Sequence, residues 1–578
     1  MSTLETTLDS AEATADDTVP TVGGTTASPS LVGVVTSSDH KVIGRMLIGS
    51  AIVGLLVVGA LGALLGAERI DGDGTLLRES ALTQLFAGYR VGLVEAALLP
   101  LMLGMCVLAV PLQLGARSLA FPRAAAAGFW AWFGGVVLLI ISLANNGGPF
   151  GGKADMVSLY VAANALTLTG LTIIAATVAT SVLTTRAPGM RMKRVPLFSW
   201  SALVASIGLV LVLPVAVGVH IFVYVDYQYT KAAFGAANGI TDWTGYLFTG
   251  PVLALFALPA VGFFAELVAV VFKRRMPLRG VVLAGIGLVG LAAFAGVTQQ
   301  EVIGLPWAGS GLTLSEPLTK FADLVTFGVL VLVPLLGVLV VLGVSALAAK
   351  PTKIGGETVR PNLIAPFVLA FFGLDLILLG MAATALNGVD DLALQGTVFE
   401  EGAAVAIVYG AVVVGLGAVA YWFPKLTGRM VPTKPVLGLA PLAALAAALA
   451  SVPYLIAGFT DQPANAAVYD NDGPGELLNV LTTAGHALMA LVVLAFAGLV
   501  VPAFISMITT SDADTAAGDA AGDNPWEGHT LEWSTTSPAP ADNFSVAPTV
   551  MSPEPLLDMK AAPDFARSAA AQSTGAAG

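Results

Sequence analysis

The sequence has few charged residues for its length, and this shortage excludes a water-soluble fold. Charged residues make up 11% of the 578 residues, whereas soluble globular chains carry about 25%. Apolar residues make up 56%, and the mean hydropathy is +0.84. Because such a chain cannot cover a large surface with groups that bind water, we predict an integral membrane protein in contact with lipid.

Cysteine, histidine and clustered basic residues are also scarce. The single cysteine, Cys106, excludes a disulfide framework and any cysteine-based zinc or iron–sulfur site. The four histidines are His40, His220, His486 and His529. No basic run is longer than the three residues 273–275, so no nucleic-acid partner is expected.

Long apolar stretches predict the organisation of the chain. A helix needs roughly 20 apolar residues to cross a hydrocarbon core about 30 Å thick. Twelve stretches meet this requirement, and their short connections predict one bundle. They lie at about 43–66, 89–113, 126–144, 158–184, 199–225, 246–272, 280–300, 322–349, 361–386, 402–423, 436–458 and 479–506.

The parts of the chain outside the bundle have a different composition. Residues 1–40 are rich in Thr, Ser and Asp and predict a disordered segment, and residues 41–508 form the predicted membrane domain. Residues 509–578 are rich in Ala, Ser, Pro and Asp and predict a low-complexity tail without a core.

Lysine and arginine are distributed unequally between the two sides of the predicted bundle. On the side that carries both termini, the connections between spans contain sixteen lysines and arginines. The opposite side has five, namely Arg69, Arg78, Lys153, Lys231 and Lys320. By the positive-inside rule, both termini are predicted to be cytoplasmic in a bacterial-type cell membrane.

Several segments, in order along the chain, resemble one family. They are Ser38–Gly44, Val110–Arg117, Arg186–Met190, Tyr421–Met430 and Asn524–Trp533. This pattern is similar to that of the heme–copper oxidases, specifically subunit I of cytochrome c oxidase. The resemblance implies an all-α membrane protein with twelve transmembrane helices in a subunit I-like bundle, and partners among the other subunits of a respiratory complex.

The resemblance also implies a chemistry for which this chain lacks the residues. The family reduces oxygen with electrons from cytochrome c and moves protons, using two hemes and a copper held by six histidines inside the membrane. Imidazole suits both metals because it is a strong neutral nitrogen donor. At the matching positions this sequence has Tyr89, Gly250, Gln299, Gln300, Gly402 and Ala404. We therefore expect no heme, no copper and no catalytic residue.

Two substitute heme ligand sets remain as alternatives. His220 and His486 lie in predicted spans and could hold one heme between them, and Tyr89 could ligate iron as a phenolate. Packed or interhelically hydrogen-bonded side chains are the favoured interpretation for all three. The small residues Gly250, Gly402 and Ala404 suggest that helices close over the heme space; alternatively, Tyr89 and Phe399 fill it.

One set of charged residues lies inside or beside the predicted spans. Arg90 in the second span is costly to bury without a partner, and Glu401 lies near the corresponding end of the tenth. We predict that Arg90 and Glu401 form a polar plug where the low-spin heme would sit, with Glu400 and Glu95 as further members. The alternative is that Arg90 extends to the membrane surface.

Three functions fit these observations. The favoured one is a catalytically degenerate subunit I homologue with a structural or regulatory role in a respiratory oxidase complex. The second is a working terminal oxidase with atypical ligands. The third is a transporter that uses the vacated space as a polar path lined by Gln299, Gln300, Glu400 and Arg90.

Overall fold

The structure is a computed structural model, and it consists almost entirely of helices. It describes residues 33, 35–74, 76–300, 303, 317–350, 353–354, 357–358, 361–464, 466–469, 474–509, 520–544, 546 and 548–559. Within these ranges, eleven helical segments are long and apolar enough to cross a membrane. A twelfth is formed by two helices that meet at a bend of 48°. The predicted all-α bundle is confirmed, and the only strands among the described residues are the two-residue β1 (Lys353–Ile354) and β2 (Glu357–Thr358).

The helices follow the predicted spans, several of which are divided by short irregular turns. The α-helices are α1 His40–Glu68, α2 Glu79–Val91, α3 Leu99–Gln113, α4 Pro122–Ala144, α5 Ala154–Thr184, α6 Leu197–Gln228, α7 Gly239–Asp242, α8 Gly250–Phe256, α9 Leu258–Val271, α10 Arg279–Val289, α11 Ala293–Val297, α12 Pro317–Phe327, α13 Val333–Ala348, α14 Ala365–Asn387, α15 Val398–Thr427, α16 Thr433–Gly458 and α17 Gly475–Thr509. Two π-helical turns, Gly92–Leu98 and Gly328–Leu332, join α2 to α3 and α12 to α13.

The ends of these helices follow local capping rules. Asp39 accepts a hydrogen bond from the Lys41 amide at 2.9 Å and begins α1, and the Thr397 hydroxyl accepts from the Phe399 amide at the start of α15. Each bond satisfies an amide that has no partner within its helix. Gly428, with φ +70°, ends α15 in the left-handed conformation that glycine adopts without strain.

Two membrane-crossing segments form the centre of the bundle. In the most apolar 18-residue stretch of the segment Ser80–Gln113, 94% of the residues are buried, and in the corresponding stretch of α15 all of them are. Helices α1, α16 and α17 pack beside them. The centre therefore brings the second and tenth predicted spans together, which is where the resemblance places facing heme ligands.

The described part of the C-terminal tail packs against the end of the bundle that carries the start of α1. The indole of Trp526 donates to the Tyr421 carbonyl oxygen at 2.9 Å, and that of Trp533 donates to the Tyr421 hydroxyl at 3.0 Å. Both indoles are buried. The described residues between 520 and 559 thus differ from the expected tail without a core, because these aromatic side chains supply one. Residues 1–32, 510–519 and 560–578 lie outside the described residues.

Candidate functional site

The Arg69 guanidinium, directly after α1, donates four hydrogen bonds. It donates to the two carboxylate oxygens of Glu401 at 2.9 and 3.2 Å. It also donates to the Tyr454 hydroxyl at 3.1 Å and to the Ala466 carbonyl at 3.1 Å. The Arg69 side chain is 5% exposed and that of Glu401 is 17% exposed. A buried ion pair is stable only when hydrogen bonds satisfy its groups in this way.

The predicted plug of Arg90 and Glu401 stays a prediction, and the structure adds Arg69 as a partner of Glu401. Arg90 lines the same small cavity as Glu400 and Glu401, and its guanidinium carbon lies 5.7 Å from the centre of the Phe248 ring. The bidentate partner of Glu401 is Arg69. Sequence reasoning missed Arg69 because it counted this residue among the charges of a surface connection. A role for Arg90 in the plug stays a prediction.

The other two predicted members of the plug lie in different surroundings. One oxygen of Glu400 accepts from the Asn387 amide at 3.3 Å and from the Gly396 backbone amide at 3.2 Å. Glu95 lies in the π-helical turn and is buried, and its carboxylate has no hydrogen-bond partner among the described residues. It lines a separate apolar cavity of about 570 Å³ with Gln84. The structure therefore does not place Glu95 with Glu401.

Three aromatic rings fill the centre of the predicted heme space. Tyr89 meets the His486 imidazole edge-on, with ring centres 5.7 Å apart. A hydrogen bond of 2.8 Å joins the Tyr409 hydroxyl to Nδ1 of His486. A Cβ atom added to Gly62 would lie 2.7 Å from the His486 ring and 3.0 Å from Tyr89. The rings therefore pack against the backbone of α1.

The two suggested ways of filling the heme space stay predictions: Tyr89 lines a cavity beside Glu401, whereas Phe399 packs against Phe459 and does not line that cavity. A Cβ atom on Gly402 would lie 2.8 Å from the Ser451 carbonyl oxygen, so α15 and α16 approach closely at this glycine. Tyr89 and Ala404 line the same cavity, whose volume is only about 40 Å³.

The remaining matching positions do not line that cavity. Gly250 begins α8 with φ +32°. Gln300 is exposed after α11, and Gln299 lines an apolar cavity with Phe222 and Trp243. Neither glutamine lines the cavity of Arg90 and Glu400, so the structure does not bring together the residues of the suggested transport path.

The described residues offer no metal site of the expected kind. Nowhere in these ranges do three or more His, Cys, Asp or Glu side chains cluster so that they could hold an ion. Nδ1 of His220 hydrogen-bonds to the Ala216 carbonyl within α6 at 2.8 Å, while His486 bonds to Tyr409. The side chains at the matching positions thus do not fit two hemes and a copper.

Known proteins resemble this chain along most of its length. The family model described as "Cytochrome C and Quinol oxidase polypeptide I" matches residues 42–493. Cytochrome c oxidase subunit 1 of Corynebacterium diphtheriae is 27% identical over 91% of this chain and 91% of its own. The corresponding protein of Thermostichus vulcanus is 26% identical over 89% of this chain and 90% of its own.

A solved structure has the same fold. It is described as a heme-copper terminal oxidase dimer, with a TM-score of 0.58 and 16% identity over 84% of this chain and 88% of that one. The prediction that the chain carries no cofactor is contradicted by these matches, since cytochrome oxidases are heme proteins. The observation that stands is narrower: the described side chains at the matching positions supply none of the family's imidazoles.

Proposed function

Because the chain belongs to the cytochrome c and quinol oxidase polypeptide I family, we propose that it is a catalytically degenerate subunit I homologue. It does not reduce oxygen by the family's reaction. It acts as a structural or regulatory component of a respiratory oxidase complex in the membrane, with both termini on the cytoplasmic side.

The contact between Tyr89 and His486 carries this proposal. Tyr89 stands where the resemblance places an axial heme ligand, and its ring packs edge-on against the imidazole of His486. That imidazole is itself bonded to Tyr409. The resemblance implies two histidine ligands for the family's low-spin heme, and the opposite position is Ala404, a residue without a donor atom.

The bundle supports a structural role because it is tightly packed without the family's ligands. The buried ion pair of Arg69 and Glu401 links the end of α1 to the start of α15. The close approach at Gly402 joins α15 to α16. Such a bundle keeps the shape of subunit I, which other subunits of a respiratory complex would recognise.

The test is a purification of the full chain in mild detergent, followed by two measurements. We expect oxidase subunits to co-elute, as identified by mass spectrometry. We expect no oxygen consumption by the isolated chain with reduced cytochrome c or with a quinol, measured at an oxygen electrode. Sustained oxygen consumption by the isolated chain would contradict degeneracy. A chain that elutes without any oxidase subunit would contradict the structural role.

A further inference from the structure

Two buried carboxyl groups meet at the end of the bundle that the C-terminal segment covers. The Gln113 side-chain nitrogen donates to Glu266 at 2.5 Å and to Glu532 at 3.1 Å. Gln113 ends α3, Glu266 lies in α9, and Glu532 lies in a 3₁₀ turn of the C-terminal segment. Gln113 and Glu532 are fully buried, and Glu266 is 6% exposed. One amide group thus bridges a carboxyl of the bundle and a carboxyl of the tail.

The neighbouring hydrogen bonds fix the orientation of this amide. The Ser199 hydroxyl donates to the side-chain oxygen of Gln113 at 2.7 Å, so the nitrogen faces the two carboxyl groups. The Phe198 amide donates to the second oxygen of Glu266 at 3.0 Å. The Trp422 indole donates to the first oxygen of Glu532 at 3.3 Å. The second oxygen of Glu532 has no partner among the described residues.

The charged groups around this pair do not neutralise it by direct contact. Among the described residues, no lysine or arginine forms an ion pair with Glu266 or Glu532. Lys425 is near Glu532, but its ammonium group donates to the carbonyl oxygens of Asp523 and Thr535 at 2.7 and 2.6 Å. Arg279 is near Glu266, but it donates to the Val195 carbonyl oxygen.

The other ionisable groups that face the pair are Tyr421 on α15 and Glu554 on the C-terminal segment. Tyr421 lies near both carboxyl groups, and Glu554 faces Arg279. Two adjacent negative charges in a dry site repel each other, and each loses its hydration. A single proton removes one of the two charges and with it the repulsion.

We propose that Glu266 and Glu532 form a proton-binding site that fastens the C-terminal segment to the bundle. With one proton bound, a neutral carboxyl and a carboxylate share the amide of Gln113. When the proton leaves, the site holds two buried negative charges, and the turn Leu531–Ser534 separates from α9. The segment is then held by its remaining contacts, such as that between Trp526 and Tyr421.

The direction of the pH effect follows from burial. Burial raises the pKa of the Glu532 carboxyl above its ordinary value, so the docked segment binds the proton more tightly than the released one does. Docking is therefore strongest at low pH and weakens as the pH rises through the raised pKa.

A distance measurement between two spin labels tests this site. Ser118→Cys in the loop before α4 and Thr536→Cys in the segment are exposed positions, and the native Cys106 is buried and remains unlabelled. The full chain in nanodiscs is frozen at values from about pH 5 to about pH 10, a range wide enough for a strongly raised carboxyl pKa. We expect one narrow distance at low pH and a broad, longer distribution at high pH.

Substitutions distinguish this site from a general effect of pH. Glu532→Gln needs no proton, so we expect its narrow distance to persist at high pH. Glu266→Gln changes the carboxyl on the bundle side and should also keep the narrow distance at high pH. It replaces the first variant if that variant does not fold. Asp542→Asn removes an exposed carboxyl of the same segment and should behave like the parent. A parent distance that is constant with pH, or a Gln variant that opens at the same pH as the parent, would overturn the proposal.

Discussion

Arg69 and Glu401 lie 332 positions apart in the sequence, and their side chains form a bidentate ion pair with N–O distances of 2.9 and 3.2 Å. The pair fastens the end of α1 to the first turn of α15, next to the cavity where the resemblance places a heme. Its position makes it the first target for mutation.

Truncating either member of this pair should destabilise the bundle strongly. Removing one partner of a buried ion pair costs about 3–5 kcal/mol, because the other charge stays buried without its partner. We expect Arg69→Ala and Glu401→Ala each to lower the unfolding midpoint, and the double variant to lose less than the sum. The measurement is a double-mutant cycle on thermal unfolding in detergent.

Lys273 and Glu527 provide a matched control for this cycle. Their ion pair has the same N–O distance of 2.9 Å, but the side chains are 41% and 50% exposed. Exposed pairs contribute about 0–1 kcal/mol, so this cycle should give a much smaller coupling. Equal coupling energies for the two pairs would show that Arg69 and Glu401 do not act as a buried pair.

A methyl group at Gly402 should disrupt the contact between α15 and α16. The added Cβ atom would lie 2.8 Å from the Ser451 carbonyl oxygen and 2.9 Å from the Leu455 amide nitrogen. Both are backbone atoms, so the helices themselves must shift, at a cost of about 1–3 kcal/mol. We expect Gly402→Ala to lower the unfolding midpoint.

Gly49→Ala is the control for that substitution. A Cβ atom added to Gly49 of α1 meets nothing within 4 Å. Alanine is also a better helix former than glycine by about 1 kcal/mol. This variant should be as stable as the parent or more so, and a loss of stability equal to that of Gly402→Ala would argue against the close approach.

The hydrogen bond between Tyr409 and His486 should contribute modestly to stability. Interhelical hydrogen bonds in membrane proteins contribute about 0.6 kcal/mol on average. Tyr409→Phe keeps the ring but removes this bond, so we expect a small drop in the unfolding midpoint. Tyr229→Phe, at a side chain that is 64% exposed, should leave the midpoint unchanged. A similar drop in both variants would indicate that the bond to His486 contributes nothing.

The stability of the full chain should decrease as the pH rises above the ordinary range of a glutamate. Burial raises the pKa of the Glu532 carboxyl, so the folded state retains a proton that the unfolded state releases near pH 4.3. The stabilisation from this proton is complete below the pKa of the unfolded state, and it is lost as the pH rises through the raised pKa of the folded state. Thermal unfolding followed by tryptophan fluorescence should show this slope.

Glu532→Gln should flatten the same slope, because an amide does not titrate. Asp542→Asn should leave it as in the parent, since Asp542 is exposed. A slope that is unchanged in Glu532→Gln would assign the pH dependence to other groups.

Sequence reasoning predicted the helices well because crossing a membrane is a property of local sequence. An apolar stretch of sufficient length must form a helix, since lipid offers no partner for backbone amides. The twelve predicted spans correspond to the helices and the one bent pair of the structure. The order of short motifs also indicated the subunit I family, which the family match from residue 42 to residue 493 confirms.

Pairing between distant side chains was beyond sequence reasoning. The sequence did not reveal Arg69 as a partner of Glu401, because Arg69 was assigned to a surface connection. The structure places Arg69 against Glu401 because the end of α1 and the start of α15 meet at the same level of the bundle.

The sequence by itself determined the class of this protein, its number of membrane-crossing segments and the shortage of histidines at the family's ligand positions. Only the tertiary structure decided that Tyr89, Tyr409 and His486 fill the central space. It also decided that the C-terminal segment brings Glu532 to Gln113 and Glu266. The physical reason is that the ability of a segment to cross the membrane depends on the length of its own apolar stretch. The contact partners of a side chain depend instead on how distant helices are rotated and where they meet.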